Sequence, residues 1–310
     1  MSVVVSFLVT YIFILAGVAY FTLLERKGLG YFQRRKGPNK VGFIGVFQPL
    51  ADALKLFLKE FIIPKRSNKY CFVMAPVFTL MISLLLWHAF PSFYPSTCLG
   101  WGILYVLCVS SLNVYGTMIS GWSSNSKYAL LGAMRAVAQT ISYEVSMSLF
   151  ILFVVILYGS FDLYSISEKS FMVWVLFPPL FFQFLASVLA ETNRAPFDLA
   201  EGESELVSGF NVEYSGGGFA LIFMAEYANI LFMSTLVSVL WLGGFSVGSP
   251  LLLGVKTLFI SFFFIWSRAT LPRHRYDLLM ALTWKSFLPM ALIGLLVVVS
   301  FKALASFLLF

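Results

Sequence analysis

Between residues 191 and 213 stand six carboxylic acids, Glu191, Asp198, Glu201, Glu203, Glu205 and Glu213, with Arg194 the only base. Acids this close repel one another and titrate as a coupled set that keeps some of its protons. That behaviour suits proton storage and release. Leu206, Val207, Phe210 and Val212 intersperse the run, so it is expected to pack against something rather than lie free in water. Two more acids stand where charge is costly. Glu144 and Glu226 each interrupt a long apolar run, and an ionised carboxylate at a bilayer centre costs roughly 3 kcal/mol on insertion scales. Each must be protonated, paired or turned to water. A carboxyl exchanging its proton near neutral pH is a relay; one hydrogen-bonded to a neighbouring helix is structural. The sequence leaves both open. Arg135 shares a run with Glu144, but roughly 13 Å away along a helix and on the opposite face, so each needs a partner from another element.

Composition sets the elements that hold these groups. The chain has 310 residues, 60% hydrophobic and 11% charged, against ~25% charged in a soluble domain. Its mean hydropathy is +0.89. A water-soluble enzyme and a disordered chain are both excluded. Uncharged apolar runs at about 3–24, 70–90, 99–120, 128–158, 171–190, 219–242, 251–270 and 287–309 predict an all-α integral membrane protein. It is expected to form a single polytopic domain over 1–310 with about eight transmembrane helices. Pro178-Pro179 and Pro289 should kink or break the fifth and eighth. In the first loop, Leu50, Ala53, Leu54, Phe57, Leu58 and Phe61 recur at helical spacing, opposite Asp52, Lys55 and Lys59. This predicts an amphipathic helix lying in the interface plane, either a surface anchor or the lip of a lateral opening for a lipid-like substrate.

The loops 25–69, 121–127, 191–218 and 268–286 hold 17 of the 21 Lys and Arg. The positive-inside rule places them on the cytoplasmic or equivalent organellar side, with both termini opposite. The first loop carries eleven bases against three acids and faces the same side as the acidic run, so the two can dock. The net charge of +7 is thus a topology signal, not a mark of nucleic-acid binding. Lys256 and Lys302, near the outer ends of their spans, are expected to snorkel. His88 is expected to pack at the interface, and His274 to be solvated or interfacial. Cys71, Cys98 and Cys108 form no C-x-x-C, and two histidines make no metal cage. There is no glycine-rich phosphate loop. Any electron carrier is therefore diffusible or on a partner, and no metal site is expected. Met1 to Leu24 carries no charge, so no cleavable signal is expected.

Several stretches resemble one family. They are Glu25-Arg26-Lys27, the segment Arg35 to Gly42 with Arg35-Lys36-Gly37-Pro38-Asn39 at its core, Arg135 to Glu144, Glu191 to Tyr214, Ala225-Glu226-Tyr227, and Arg268 to Pro289. Spread from the first loop to the last span, they are similar to the quinone-end membrane subunits of respiratory complex I, the proton-pumping NADH:ubiquinone oxidoreductase. Gly28, Arg34 and Lys40 depart from that family's pattern and make the first loop more basic than usual.

The resemblance implies a chamber between the inner loops and a peripheral arm, which ubiquinone enters from the bilayer as substrate. NADH, FMN and iron–sulfur clusters would lie on partner subunits, with no cofactor bound by this chain and no activity expected of it alone. The implied partners are peripheral-arm quinone-site subunits, neighbouring membrane-arm subunits and membrane lipid, and no nucleic acid. The implied proton path is Glu144, Glu191, Asp198, Glu201, Glu203, Glu205, Glu213 and Glu226. The implied chamber lining is Glu25, Arg26, Arg35, Asp52, Tyr143, Arg194, Phe197, Phe210, Arg273 and Arg275. The implied location is the mitochondrial inner membrane, with the inner loops facing the matrix and the termini the intermembrane space; a bacterial inner membrane satisfies the same topology. The membrane anchor of a proton-pumping hydrogenase would share the acidic loop and need no quinone. A stand-alone proton-coupled transporter is disfavoured by the missing internal repeat, and a purely structural anchor leaves the intramembrane acids unexplained.

Overall fold

A computed structural model describes residues 2–92, 99–169, 171–200, 202, 207–245 and 249–308, and every regular element among these is helical. Helix α1 (Ser2–Phe32) has 31 residues, about 46 Å at 1.5 Å per residue. It can cross the hydrocarbon and carry its last turns into the polar zone. An irregular loop leads to α2 (Gln48–Leu58), followed by α3 (Lys69–Leu86), α4 (Gly102–Ser123) and α5 (Lys127–Tyr158). Short helices α6 (Leu163–Glu168) and α7 (Val173–Leu176) precede α8 (Pro178–Glu191). Then come α9 (Gly216–Leu240), α10 (Pro250–Thr270), α11 (Tyr276–Leu282) and α12 (Leu288–Leu308).

Among the described residues, seven helical stretches are long and apolar enough to cross a membrane: α1, α3, α4, α5, α9, α10 and the continuous α11–α12. The expected fifth span is not a single helix. Phe177 leaves the helical region at φ −131°, ψ 65°. Pro178 and Pro179 then open α8, where their missing N–H groups would have had no helical partner. What remains is a helix of 14 residues, about 21 Å long and short of the hydrocarbon thickness. Pro289 acts differently from a break. A π turn over Thr283–Phe287 precedes it, and the chain stays helical on both sides. The wider turn absorbs the lost backbone bond.

Interloop hydrogen bonds sort the helix ends into two groups. Asn68 N donates to Ser123 O at 3.0 Å, Ile62 N to Ser215 Oγ at 3.2 Å, and His274 N to Pro196 O at 2.9 Å. These join all four basic-side loops, and the first loop does meet the end of the acidic run. At the other end Ile103 N donates to Phe161 O at 3.1 Å and Phe245 N to Ser167 O at 2.9 Å. There the side chain of Lys256 ends at the loop that follows α9. Its ammonium donates to the carbonyls of Leu242 at 2.8 Å and Gly244 at 3.1 Å, oxygens that lack helical partners past the end of α9. His88 shares a 2.6 Å hydrogen bond with Tyr11, in keeping with interfacial packing.

The main core gathers around α5, α8 and α9, with Phe150, Phe153, Phe184 and Trp241 fully buried. Ile12 and Phe13 of α1, Phe259 of α10 and Phe301 of α12 are exposed. Apolar surface on this scale requires lipid or partner protein around it. On α2, Asp52 turns inward to Arg26 while Leu54, Phe57 and Leu58 face outward, as an interface helix requires.

Candidate functional site

The acidic run is fixed at both ends by one face of α5. Gly132, Ala136, Gln139 and Tyr143 follow the i, i+4, i+7, i+11 spacing that lines one side of a helix. At one end Gln139 Nε2 donates to the carbonyls of Ala190 at 2.9 Å and Phe197 at 2.7 Å, holding the turn that follows α8. At the other end Gly132 meets backbone. A Cβ on it would stand 2.9 Å from Gly209 Cα and 3.1 Å from Phe210 N. Only glycine permits that approach.

Within this clamp, Arg194 reaches across to α1. Glu25, buried near the inner end of α1, accepts from Arg194 Nη1 at 3.2 Å, from Tyr227 Oη at 2.5 Å and from Arg268 Nη1. The Arg194 guanidinium lies 4.4 Å from the centre of the Tyr227 ring, a cation–π contact. One carboxylate thereby ties together α1, α9, α10 and the acidic loop. Burial alone would lower the Arg194 pKa. Glu25, Tyr227 and Glu226 outweigh it, so the guanidinium stays above its ordinary value and remains charged.

Two small cavities connect this cluster to the acids. The first is lined by Asn193, Arg194, Ala195, Asp198, Glu226 and Arg268. The second is lined by Glu191 and Glu226 with Thr79, Asn113, Thr117, Asn193, Phe210 and Asn229 among others. Glu226 belongs to both. Each has room for water rather than for a ring-sized ligand. Glu144 on α5 lies near enough to Glu191 to act on it electrostatically, as one like charge on another. Carboxyls that feel one another titrate as a set rather than singly.

A second cluster is aromatic. The Tyr143 ring, wholly buried, stands 5.9 Å from Phe197 and 6.2 Å from Phe287. Its hydroxyl donates to Leu279 O at 3.3 Å. Phe197 also stacks on His274 at 5.5 Å, so that exposed histidine covers a ring. A third pair, Arg26 with Asp52, joins α1 to α2, and Gln48 Nε2 donates to Asp52 at 3.0 Å.

Of the other expected site residues, Phe210 lines the second cavity, and the rest lie apart from these groups. Arg35 and Arg275 are exposed, Arg275 beside Asp277 at 3.7 Å. Arg273 is half-buried after α10, and Glu213 is half-buried before α9. Phe210 packs with Phe72, Tyr214 and Ile222 in a second core. Glu201, Glu203 and Glu205 lie outside the described residues. Tyr227, Arg268, Gln139, Asn193 and Asn229 were not singled out as site residues. The available signal was polarity inside or beside apolar runs, which calls for buried partners.

Residues 5–299 match the family model of NADH dehydrogenase. A mosquito protein, NADH-ubiquinone oxidoreductase chain 1 of Anopheles gambiae, is 56% identical over 299 residues, 96% of this chain and 95% of its own. The protein of that name from Aedes aegypti is 57% identical over 281 residues, 90% of this chain and 89% of its own. The one from Heterololigo bleekeri is 56% identical over 286 residues, 90% of each chain. On these matches, with the membrane helices that carry them, the chain belongs to the NADH dehydrogenase family, among the NADH-ubiquinone oxidoreductase chain 1 proteins.

Proposed function

We propose that this chain is the quinone-end membrane subunit of proton-translocating NADH:ubiquinone oxidoreductase, acting only within the complex. It is one polytopic unit of the mitochondrial inner membrane, its basic loops facing the matrix and its termini the intermembrane space. Ubiquinone is the substrate. NADH, FMN and iron–sulfur clusters belong to partner subunits of the peripheral arm, and other membrane-arm subunits and lipid cover the exposed apolar helices. The relatives' names support the complex. The observation that carries the mechanism is the double engagement of Arg194 and Arg268. Both hold Glu25, assigned to the chamber, and both line the cavity of Asp198 and Glu226, assigned to the proton path.

Ubiquinone becomes ubiquinol by taking up electrons and protons in equal number. Any charge or proton that reaches Glu25 during that step changes what the two guanidiniums are balancing. In a low-dielectric site their field then falls more strongly on Asp198 and Glu226, since unscreened charges act at full strength there. Glu226 faces the second cavity with Glu191, and Glu191 feels Glu144. A proton shift entering at Glu25 thus has a continuous set of acids to follow into the membrane. Glu201, Glu203, Glu205 and Glu213 belong to the same set by sequence. Tyr143 and Phe197 supply apolar wall, and Arg26, Arg35, Asp52, Phe210, Arg273 and Arg275 complete the lining with partner subunits. The exposed apolar face of α2 is the lip by which a lipid-like quinone passes from the bilayer.

The test is gentle solubilisation of native membranes, followed by activity staining of the band that contains this chain. NADH-dependent quinone reduction in a very large band, abolished by a quinone-site inhibitor, is the expected result. Hydrogenase activity in that band, or a small inactive band, would contradict it.

A further inference from the structure

Of the 21 basic residues, only Lys169, Lys256 and Lys302 stand toward the face opposite the basic loops. Lys256 is occupied by the carbonyls after α9. The other two, distant in sequence, converge on the end of α5. Lys169, just past α6, donates to Tyr158 O at 2.6 Å. Lys302, on α12, ends beside Gly159, where a Cβ would stand 3.5 Å from its Nζ. Tyr158 and Gly159 are consecutive, so the two ammoniums lie within about 10 Å of each other.

Helix capping accounts for one of them. The last carbonyls of a helix lack helical partners and carry partial negative charge, which a lysine neutralises. Lys169 fills that role. Among the described residues Lys302 takes no carbonyl, and neither lysine enters an ion pair. Two like charges this close repel, and charge near the bilayer is costly without a partner. An anion answers both.

The surroundings say which anion. Helix α8 starts only at Pro178, and its length of about 21 Å leaves roughly 9 Å of the hydrocarbon uncrossed. Helix α12 packs tightly on that start, where a Cβ on Gly294 would meet Leu180 at 2.8 Å. Phe301 follows Gly294 by seven positions and so shares its face, but it is 64% exposed. The face that α8 covers at Gly294 is open one helical stretch further out. Lys302 adjoins Phe301 there. Phe171, Val175 and Leu176, on the chain that leads into α8, are exposed as well. Residues 171 and 172 are not helical, and irregular backbone at membrane depth needs polar cover. A free inorganic anion would meet the charges and leave the apolar side chains bare. A zwitterionic headgroup would bring its own cation against two ammoniums.

We propose that Lys169 and Lys302 hold the phosphate of an anionic phospholipid, seated where the shortened α8 leaves α12 uncovered, with an acyl chain against Phe301. The lipid takes the place of the missing outer turns of the fifth span. Nothing in this depends on the acids or on the quinone.

The test uses the intact complex in nanodiscs, with photoactivatable phosphatidylglycerol and photoactivatable phosphatidylcholine of equal chain length as probes. In the native complex the peptides that hold Phe171 and Phe301 should be labelled at least tenfold more by phosphatidylglycerol. Lys169→Gln with Lys302→Gln should remove that preference, whereas Lys302→Arg should keep it. A cryo-EM map of the unaltered complex with phosphatidylglycerol should show a tailed density whose headgroup touches both ammoniums. Equal labelling by the two lipids, an unchanged preference in the double glutamine variant, a tailless density, or a partner subunit's side chain on the lysines would each overturn the proposal. The native-complex comparison and the map decide it even where the double variant does not assemble.

Discussion

Replacing Glu25 with Gln removes the carboxylate that both Arg194 and Arg268 contact, while leaving an oxygen for Tyr227. The Glu25 side chain is 7% exposed, Arg194 15% and Arg268 40%. Removing one member of a buried ion pair costs about 3–5 kcal/mol, because the partner is left charged and dry. Arg268 is exposed enough to recover hydration, so its share is on the surface-pair scale of under about 1 kcal/mol. The Arg194 share dominates, and the glutamine oxygen restores some of it. A net loss of about 3 kcal/mol remains, near the lower end of the buried-pair range. It falls on the docking of the 191–200 segment rather than on the helices around it. Converted at about 1.4 kcal/mol per tenfold, the segment should open about 100-fold more often. Hydrogen exchange by mass spectrometry on the assembled complex reads this directly. The amides of Arg194 and Phe197, which donate to Leu189 O at 3.1 Å and Arg194 O at 2.8 Å, should exchange about 100-fold faster. Exchange in that segment within about threefold of native, in a complex that assembles normally, would refute the argument. A double variant with Arg194→Gln should be less than additive, since the two charges share one interaction.

Two further substitutions probe the clamp and the aromatic wall. Gly132→Ala places a methyl 2.9 Å from Gly209 Cα; backbone must move, at about 1–3 kcal/mol, and limited proteolysis of the intact complex should cut faster near residues 207–211. Phe197→Ala removes a ring held between Tyr143 and His274 at about 3–5 kcal/mol; a thermal-inactivation assay of quinone reduction should show a lower midpoint, whereas Phe197→Leu should recover more than half of the loss.

The helices were legible because a span needs about 20 apolar residues wherever it occurs, and the amphipathic spacing of Leu50, Leu54 and Phe57 already described α2. The break at Pro178-Pro179 was legible too, since a missing N–H is a local property. Its consequence, a shortened α8, was visible only once Phe177 was seen to leave the helix. The acids were found as residue types placed where charge is costly. Their partners were not, because Tyr227 and Arg268 lie more than two hundred positions from Glu25, and no periodicity encodes that distance. Gln139, Asn193 and Asn229 were missed for a related reason. Gln139 and Asn229 are neutral polar residues within apolar helices and Asn193 is one of several in a polar loop, and the role of each depends on which backbone carbonyls or cavity it meets. The place of Lys256 near a span end is local and legible; the loop carbonyls of Leu242 and Gly244 that it meets are not.

The central claim is that the acids joined to Glu25 carry the protons that couple quinone reduction to translocation. The most direct measurement reconstitutes the intact complex with Glu191→Gln in sealed vesicles and follows NADH-dependent quinone reduction and proton movement together. The side chain keeps its size and loses only its exchangeable proton, so a complex that still assembles and still oxidises NADH with an artificial acceptor should lose at least tenfold in both coupled activities. Native rates of quinone reduction and proton movement in that variant would contradict the account.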